Sequence, residues 1–109
     1  MAVDEGLAEL LRDGLSGEDG VVEKRMFGGL CFMLRGNMVC GTFRDRGMFR
    51  VGRAQEADAL ALPGTKPMDM GARPMPGMIE ALPAAMADDA VRTRLLALAV
   101  GFAGSLPGK

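Results

Sequence analysis

The fold of this chain is decided by one stretch, residues 25–51, which reads RMFGGLCFMLRGNMVCGTFRDRGMFRV. Apolar runs alternate there with breaks that contain glycine, at Gly28-Gly29, Gly36-Asn37 and residues 45–47. Glycine adopts positive φ angles at little cost, so each break can reverse the chain. The pattern therefore predicts consecutive antiparallel strands that form a β-meander.

The break at Gly36-Asn37 predicts a hairpin with a two-residue loop, in which Met33 faces Cys40. Side chains alternate between the two faces of a strand, so this register sorts the hairpin residues into two sets. The set expected to face the core contains Leu30, Phe32, Leu34, Val39 and Phe43. The second set contains Cys31, Met33, Met38, Cys40 and Thr42. A wet face should carry charged residues and this second set has none, so we expect a protein surface to cover it.

Helices and short strands are predicted on either side of the meander. Asp4 can cap an N-terminal helix whose leucines recur at helical spacing, and residues 54–62 predict a short second helix. Prolines then allow only short or edge strands, around residues 68–70 and 75–81. Asp88 or Asp89 begins the longest helix, whose apolar stripe can pack across a sheet. This order predicts a two-layer α+β domain, an antiparallel sheet with helices on one face.

The composition suits one small domain. The chain has 109 residues, of which 49% are hydrophobic and 25% charged, enough for one modest core. No stretch approaches the ~18 apolar residues of a membrane span, and the acidic N-terminus lacks the basic start of a secretory signal. We therefore expect a soluble cytoplasmic protein that does not bind membranes.

The residues missing from the sequence exclude several kinds of chemistry. There is no histidine, tyrosine or tryptophan, which excludes histidine-dependent catalysis and histidine-ligated zinc. No phosphate-binding loop motif surrounds Gly28-Gly29. Ten methionines and two cysteines could supply soft ligands for Cu(I), but methionine more often fills apolar cores. We expect no catalytic residues, no metal and no organic cofactor.

Cys31 and Cys40 have two interpretations. Nearby basic residues could lower a thiol pKa and make one cysteine a redox sensor, or both could be small buried hydrophobic residues. Their positions in the middle of strands favour burial. Because they lie diagonally across the predicted hairpin, we expect them to be unpaired.

Charge is distributed unevenly although the net charge is only −1. Acidic residues predominate up to Glu23, and basic residues predominate from Lys24 to Arg53. The simpler explanation is that the acidic first helix complements the basic sheet. The alternative is an anion-binding patch, which would bind nucleic acid only weakly beside so many acids. Its candidate residues are Lys24, Arg25, Arg44, Arg46, Arg50 and Arg53.

A family resemblance rests on the run KRMFGG at residues 24–29, the break at Gly36-Asn37, the strand MFRV at 48–51, the segment 64–68 and Leu82-Pro83 before the last helix. Together these features resemble the N-terminal domain of the TfoX/Sxy family over about residues 20–103. The resemblance implies that residues 1–109 form one stand-alone α+β domain without catalytic residues. Two-domain members of the family are regulators of natural competence, thought to assist transcription through protein contacts. This sequence lacks the helical C-terminal domain, so the resemblance does not extend to competence itself.

These observations favour a non-enzymatic regulatory module that acts through protein contacts of its second sheet face. We expect a homodimer at micromolar concentration, and the sequence does not identify any other protein partner. Two alternatives stay open. One is a weak nucleic-acid-associated protein that uses the basic segment 24–53, and the other is a thiol redox sensor that uses Cys31 or Cys40.

Overall fold

The computed structural model describes residues 4–26, 28–70 and 73–108. Within these ranges the chain forms one antiparallel sheet with helices against one face, which confirms the predicted α+β class. A single 3₁₀ turn, Arg53–Gln55, precedes the second helix. The elements in chain order are α1 (Glu5–Gly14), β1 (Val21–Met26), β2 (Gly29–Leu34), β3 (Asn37–Phe43), β4 (Arg46–Arg50), α2 (Glu56–Leu60), β5 (Thr65–Met70), β6 (Arg73–Ala81), α3 (Pro83–Ala87) and α4 (Asp89–Ser105).

The sheet has six strands in the order β1-β2-β3-β4-β6-β5, so β1 and β5 are its edges. The first four strands follow each other as the predicted meander. Helix α2 then carries the chain past β4, and β6 returns to pair with β4 while β5 pairs on the outside. Both later strands are longer than predicted. The prediction of only short or edge strands in this region is wrong for β6, which has nine residues and lies between β4 and β5.

Helix starts follow the sequence signals closely. The Asp4 side chain caps α1 by accepting a hydrogen bond of 3.0 Å from the Leu7 amide. Asp88 caps α4 in the same way, at 3.1 Å from the Val91 amide. Such caps satisfy amides that the first turn of a helix leaves unpaired, so these two aspartates fix where the helices begin.

The loop of the β2–β3 hairpin lies one residue earlier than the sequence predicts. Arg35 and Gly36 form the loop, with φ angles of 51° and 82°. Positive φ at both loop residues is what a type I′ turn requires. Asn37 is instead the first residue of β3, where its buried side chain donates a hydrogen bond of 2.9 Å to the Pro107 carbonyl. This contact with the end of the chain holds Asn37 in the strand, and the prediction of a Gly36-Asn37 loop is wrong.

A β-bulge then shifts the register of β3. Met33 pairs with Met38, whereas Phe32 pairs with Cys40, which leaves Val39 as an extra residue. An extra residue transfers every later side chain of the strand to the opposite face. The predicted pairing of Met33 with Cys40 is therefore wrong.

Three residues of β3 consequently face the other way from the prediction. Cys40 packs in the core beneath the helices, and Phe43 packs on the face that the helices leave free. Thr42 pairs with Gly47, where an added Cβ would lie 2.5 Å from the sulfur of Met86 in α3. Thr42 therefore faces the helices, and the predicted faces of all three residues are wrong.

The main core lies between the helices and the sheet. All four helices contribute to it, and the predicted α4 stripe is buried as expected at Val91, Leu95 and Leu98. Leucine, isoleucine, valine and phenylalanine predominate on the sheet side. The largest fully buried side chains of the main core, from both the sheet and the helices, are Phe32, Phe49, Leu11, Ile79, Met86 and Leu95.

Gly29 permits the close approach of β2 to β3. A Cβ at this position would overlap the backbone carbonyl oxygen of Thr42, and backbone atoms cannot move aside as a flexible side chain can. Nearby, the Thr42 hydroxyl accepts a hydrogen bond of 3.2 Å from the Leu30 amide. The second glycine of the RMFGG run is thus required by packing.

We expect Gly29→Ala to lower the free energy of unfolding by at least about 2 kcal/mol, because the two strands must separate to admit the methyl group. Gly101→Ala is the matched control, since nothing lies within 4 Å of a Cβ at this position in α4. That change should instead raise stability by about 0.5–1 kcal/mol through helix propensity. Urea unfolding of both variants measures the difference, and equal effects would contradict the proposed clash.

Candidate functional site

The face of the sheet opposite the helices carries a second apolar cluster, which we call the methionine face. All of its members belong to strands, whereas the buried apolar residues of the helices belong to the main core. Seven of the ten methionines of the chain lie here. The buried centre consists of Cys31, Met48, Met68 and Met78, and the half-buried margin consists of Met26, Met33, Met38, Phe43 and Met75.

One row of this face reaches solvent at the edge of the sheet. Val22 on β1 pairs with Met33 on β2, which in turn pairs with Met38 on β3. Val22 is 61% exposed, and it is the one large apolar residue of the described chain that is exposed in this way. The row therefore presents an uncovered apolar surface next to a buried apolar centre.

The next row crosses the whole sheet and has charged ends. Its central residues are Cys31, Gly41 and Met48, and the methyl carbon of Met48 lies over Gly41, 2.9 Å from where a Cβ would be. An apolar centre with a charged margin is the arrangement found in protein interfaces. The residues paired in succession are Lys24, Cys31, Gly41, Met48, Glu80 and Lys66.

Glu80, next to Lys66 in this row, is a buried carboxylate that is only 6% exposed. It accepts a hydrogen bond of 2.6 Å from Arg46, and the Lys66 ammonium lies 3.7 Å away. The hydrogen bond that Arg46 donates to Glu80 raises the pKa of Arg46, and a second one that it donates to Asp45 adds to the effect. Arg46 therefore neutralises Glu80, and Arg46 is a poor ligand for an external anion.

The structure divides the predicted interface residues between the two faces. Cys31, Met33 and Met38 lie together on the methionine face, whereas Cys40 and Thr42 lie on the helix side. Sequence reasoning missed most of the surface, because it assigned faces only within one hairpin. The available signal was the presence of methionine in each of the other strands. The residues missed are Val22, Met26, Met48, Met68, Met75 and Met78.

The two cysteines are free and buried, on opposite faces of the sheet, so the prediction that they are unpaired is confirmed. Burial raises the pKa of the Cys31 thiol. Burial also raises the pKa of Cys40 far above its usual value, and the neighbouring Cys31 raises it further. Reactive thiols need a lowered pKa and access to solvent, so the structure gives no support to the thiol-sensor alternative.

The six basic residues of the predicted anion patch occupy different places. Lys24 and Arg25 are exposed on edge strand β1. Arg44 lies in the β3–β4 turn with its guanidinium carbon 5.2 Å from the Phe43 ring centroid, next to the ion-paired Arg46. At the opposite end of β4, Arg50 and Arg53 line one cleft.

The contact between the first helix and the sheet is not the one expected, in which acidic residues of the helix pair with basic residues of the sheet. The ion pair described between α1 and the sheet places the basic residue on the helix, because Arg12 donates to Glu23 on β1 at 2.6 and 2.8 Å. This contact lowers the pKa of Glu23 and raises that of Arg12. Arg12 also pairs with Glu9 within the helix.

Comparison with known families yields one match. The family model described as TfoX N-terminal domain matches residues 13–103, from the end of α1 to the last turn of α4, and so includes the entire sheet. No curated protein and no solved structure matches the chain significantly. In residues 4–26, 28–70 and 73–108, no helix is long and apolar enough to cross a membrane, and acidic, cysteine and histidine side chains form no group that could hold a metal.

The buried Cys40 thiol predicts a loss of stability at alkaline pH. Below about pH 8.5 the thiol is protonated in both the native and the unfolded chain, so its contribution is fully present. Above that pH the unfolded chain loses the proton while the native chain keeps it, because the native pKa is raised. The free energy of unfolding should then fall by up to about 1.4 kcal/mol per pH unit for this group. Urea unfolding between pH 7 and 10 measures the slope, and a Cys40→Ala variant with the same slope as the wild type would contradict the assignment.

Proposed function

The chain belongs to the TfoX N-terminal domain family, and on that premise we propose that it is a non-enzymatic regulatory module that acts through protein contacts of its methionine face. Transcription is the process that the family resemblance suggests for this regulation. The observation that carries the proposal is the uncovered row from Val22 to Met38 beside a buried apolar centre. Two free cysteines are consistent with action in the reducing cytoplasm.

Methionine suits this role. Its side chain is unbranched and polarisable, so a methionine surface can adapt to the shape of a partner without a large packing penalty. Covering apolar surface contributes roughly 25 cal/mol per Å², so a few hundred Å² from each partner offset a substantial part of the cost of association. Association of a partner with the methionine face is therefore energetically favourable.

We propose a second copy of the chain as the partner. Six strands at a spacing of ~4.8 Å make a face about 24 Å wide, and strands of about six residues are roughly 20 Å long. Two such faces bury at most about 1,000 Å² in total, because the centre of each face is already buried, and this is near the lower limit for a specific interface. The size therefore favours a weak, reversible homodimer at micromolar concentration.

We expect Met33→Lys to weaken self-association at least tenfold while the monomer stays folded, because the charge enters the dimer interface and spares the main core. Ala97→Lys is the matched control, because Ala97 is exposed on α4, in the helix layer. Sedimentation equilibrium at several concentrations measures association, and circular dichroism measures folding. A wild-type monomer at 1 mM would exclude the dimer, and an unfolded Met33→Lys variant would show that this face is a structural core.

Regulation through a different protein predicts another result with the same variants. Such a partner should co-purify with the wild type and with Ala97→Lys at native concentration, and should be lost with Met33→Lys. Cross-linking before cell lysis, followed by mass spectrometry, identifies it. If all three forms bind the same proteins, the methionine face is not the surface used.

A further inference from the structure

A cleft lies at the end of β4, where β4, β6 and α4 meet. Its volume is about 380 Å³, and its lining residues are Arg50, Gly52, Arg53, Pro76, Gly77 and Phe102. We infer that this cleft binds a small molecule that carries a phosphate group. The inference is independent of the proposed function, since it rests on other residues and another surface.

The guanidinium groups of Arg50 and Arg53 are available to bind a ligand. The guanidinium carbon of Arg50 lies 5.3 Å from the centroid of the Phe102 ring, a cation–π contact that orients the group and leaves its N–H donors available. Among the described side chains, neither Arg50 nor Arg53 forms an ion pair, unlike Arg12, Arg46 and Arg92.

Two glycines give the cleft its shape. Gly52 has a φ of 81°, and an added Cβ would lie 2.5 Å from the Phe102 ring, so only glycine lets the ring pack against the backbone here. Gly77 has a φ of 82°, and its carbonyl accepts hydrogen bonds from the amides of Val51 and Gly52 at 2.9 and 3.1 Å. The wall of the cleft is therefore fixed by hydrogen-bonded backbone.

One carboxylate lies next to the cleft and already accepts a hydrogen bond from the backbone. Glu56 accepts a hydrogen bond of 2.7 Å from the Gly77 amide, on the α2 side. This bond fixes Gly77 and turns the Gly77 donor away from any ligand. The two guanidinium groups still outnumber this single negative charge, so the cleft retains a positive charge.

Two other clefts among the described residues lack this chemistry. One cleft of about 250 Å³ between α1 and α4 is lined by Glu18, Thr93 and apolar residues. Another, of about 220 Å³, contains Arg12, which is already bound to Glu23. Two guanidinium forks match the oxygens of a phosphate dianion, and sites for small molecules begin at about 300 Å³. Of these three clefts, the one at Arg50 and Arg53 combines adequate volume with available cations.

The test is a titration of the ¹⁵N-labelled full chain with glycerol 3-phosphate, followed by amide NMR shifts. Sodium phosphate, sodium acetate and sodium chloride at equal ionic strength are the comparison titrants. We expect saturable shifts at Gly52, Arg53 and Gly77 with both phosphates, and none with chloride. Tighter binding of glycerol 3-phosphate than of inorganic phosphate would show that the ligand is an ester that also contacts the cleft wall.

Substitutions locate the site. Arg50→Gln/Arg53→Gln should weaken phosphate binding at least tenfold, about 1.4 kcal/mol or more, because charge-assisted hydrogen bonds are lost. Arg94→Gln removes an exposed arginine from α4 and should leave binding unchanged. Phe102→Leu should weaken binding severalfold, because Arg50 loses the ring that orients it.

The inference is overturned if shifts grow linearly with every salt, or if the double variant binds phosphate as the wild type does. Equal binding of acetate and phosphate would also overturn it, because the cleft would then recognise charge alone. If the double variant does not fold, Arg53→Gln alone provides the same comparison, since Arg53 is exposed and forms no described ion pair.

Discussion

The register of the β2–β3 hairpin is the constraint on which the two faces of this domain depend. It is set by the turn at Arg35 and Gly36 and by the extra residue Val39. The turn is also tied to the other end of the chain, since Arg35 donates to the Gly104 carbonyl at 3.4 Å and Asn37 to the Pro107 carbonyl. These bonds hold the end of α4 against the hairpin, so strand register and helix position are specified together.

The same six strands bury two chemically different surfaces. The helix side is filled by branched and aromatic residues such as Phe32, Phe49 and Ile79, which have few rotamers and favour one packing arrangement. The other side is filled by methionines, whose flexible side chains cover each other without a helix above them. A rigid core therefore positions a deformable face, a combination suited to binding another protein while the domain itself keeps its structure.

Local signals in the sequence predicted the elements well, and contacts distant in sequence decided the rest. Asp4 and Asp88 cap helices as expected because a cap involves only neighbouring residues. The loop prediction at Gly36-Asn37 failed because the turn preferences of glycine and asparagine take no account of distant contacts, whereas Asn37 is held in β3 by Pro107. The bulge at Val39 has no local signal, and it reversed Cys40, Thr42 and Phe43.

The basic segment shows the same division between local sequence and distant contacts. Arg46 and Arg50 lie on one strand and are equivalent in any sequence pattern, yet Arg46 meets Glu80 of β6 at 2.6 Å while Arg50 meets the ring of Phe102. The strand order β4-β6 brings Glu80 to one arginine, and the position of α4 brings Phe102 to the other. A carboxylate partner neutralises the guanidinium group of an arginine, whereas an aromatic partner orients that group and leaves its charge available to a ligand. Topology therefore decides which of two identical side chains stabilises the fold and which can bind a ligand.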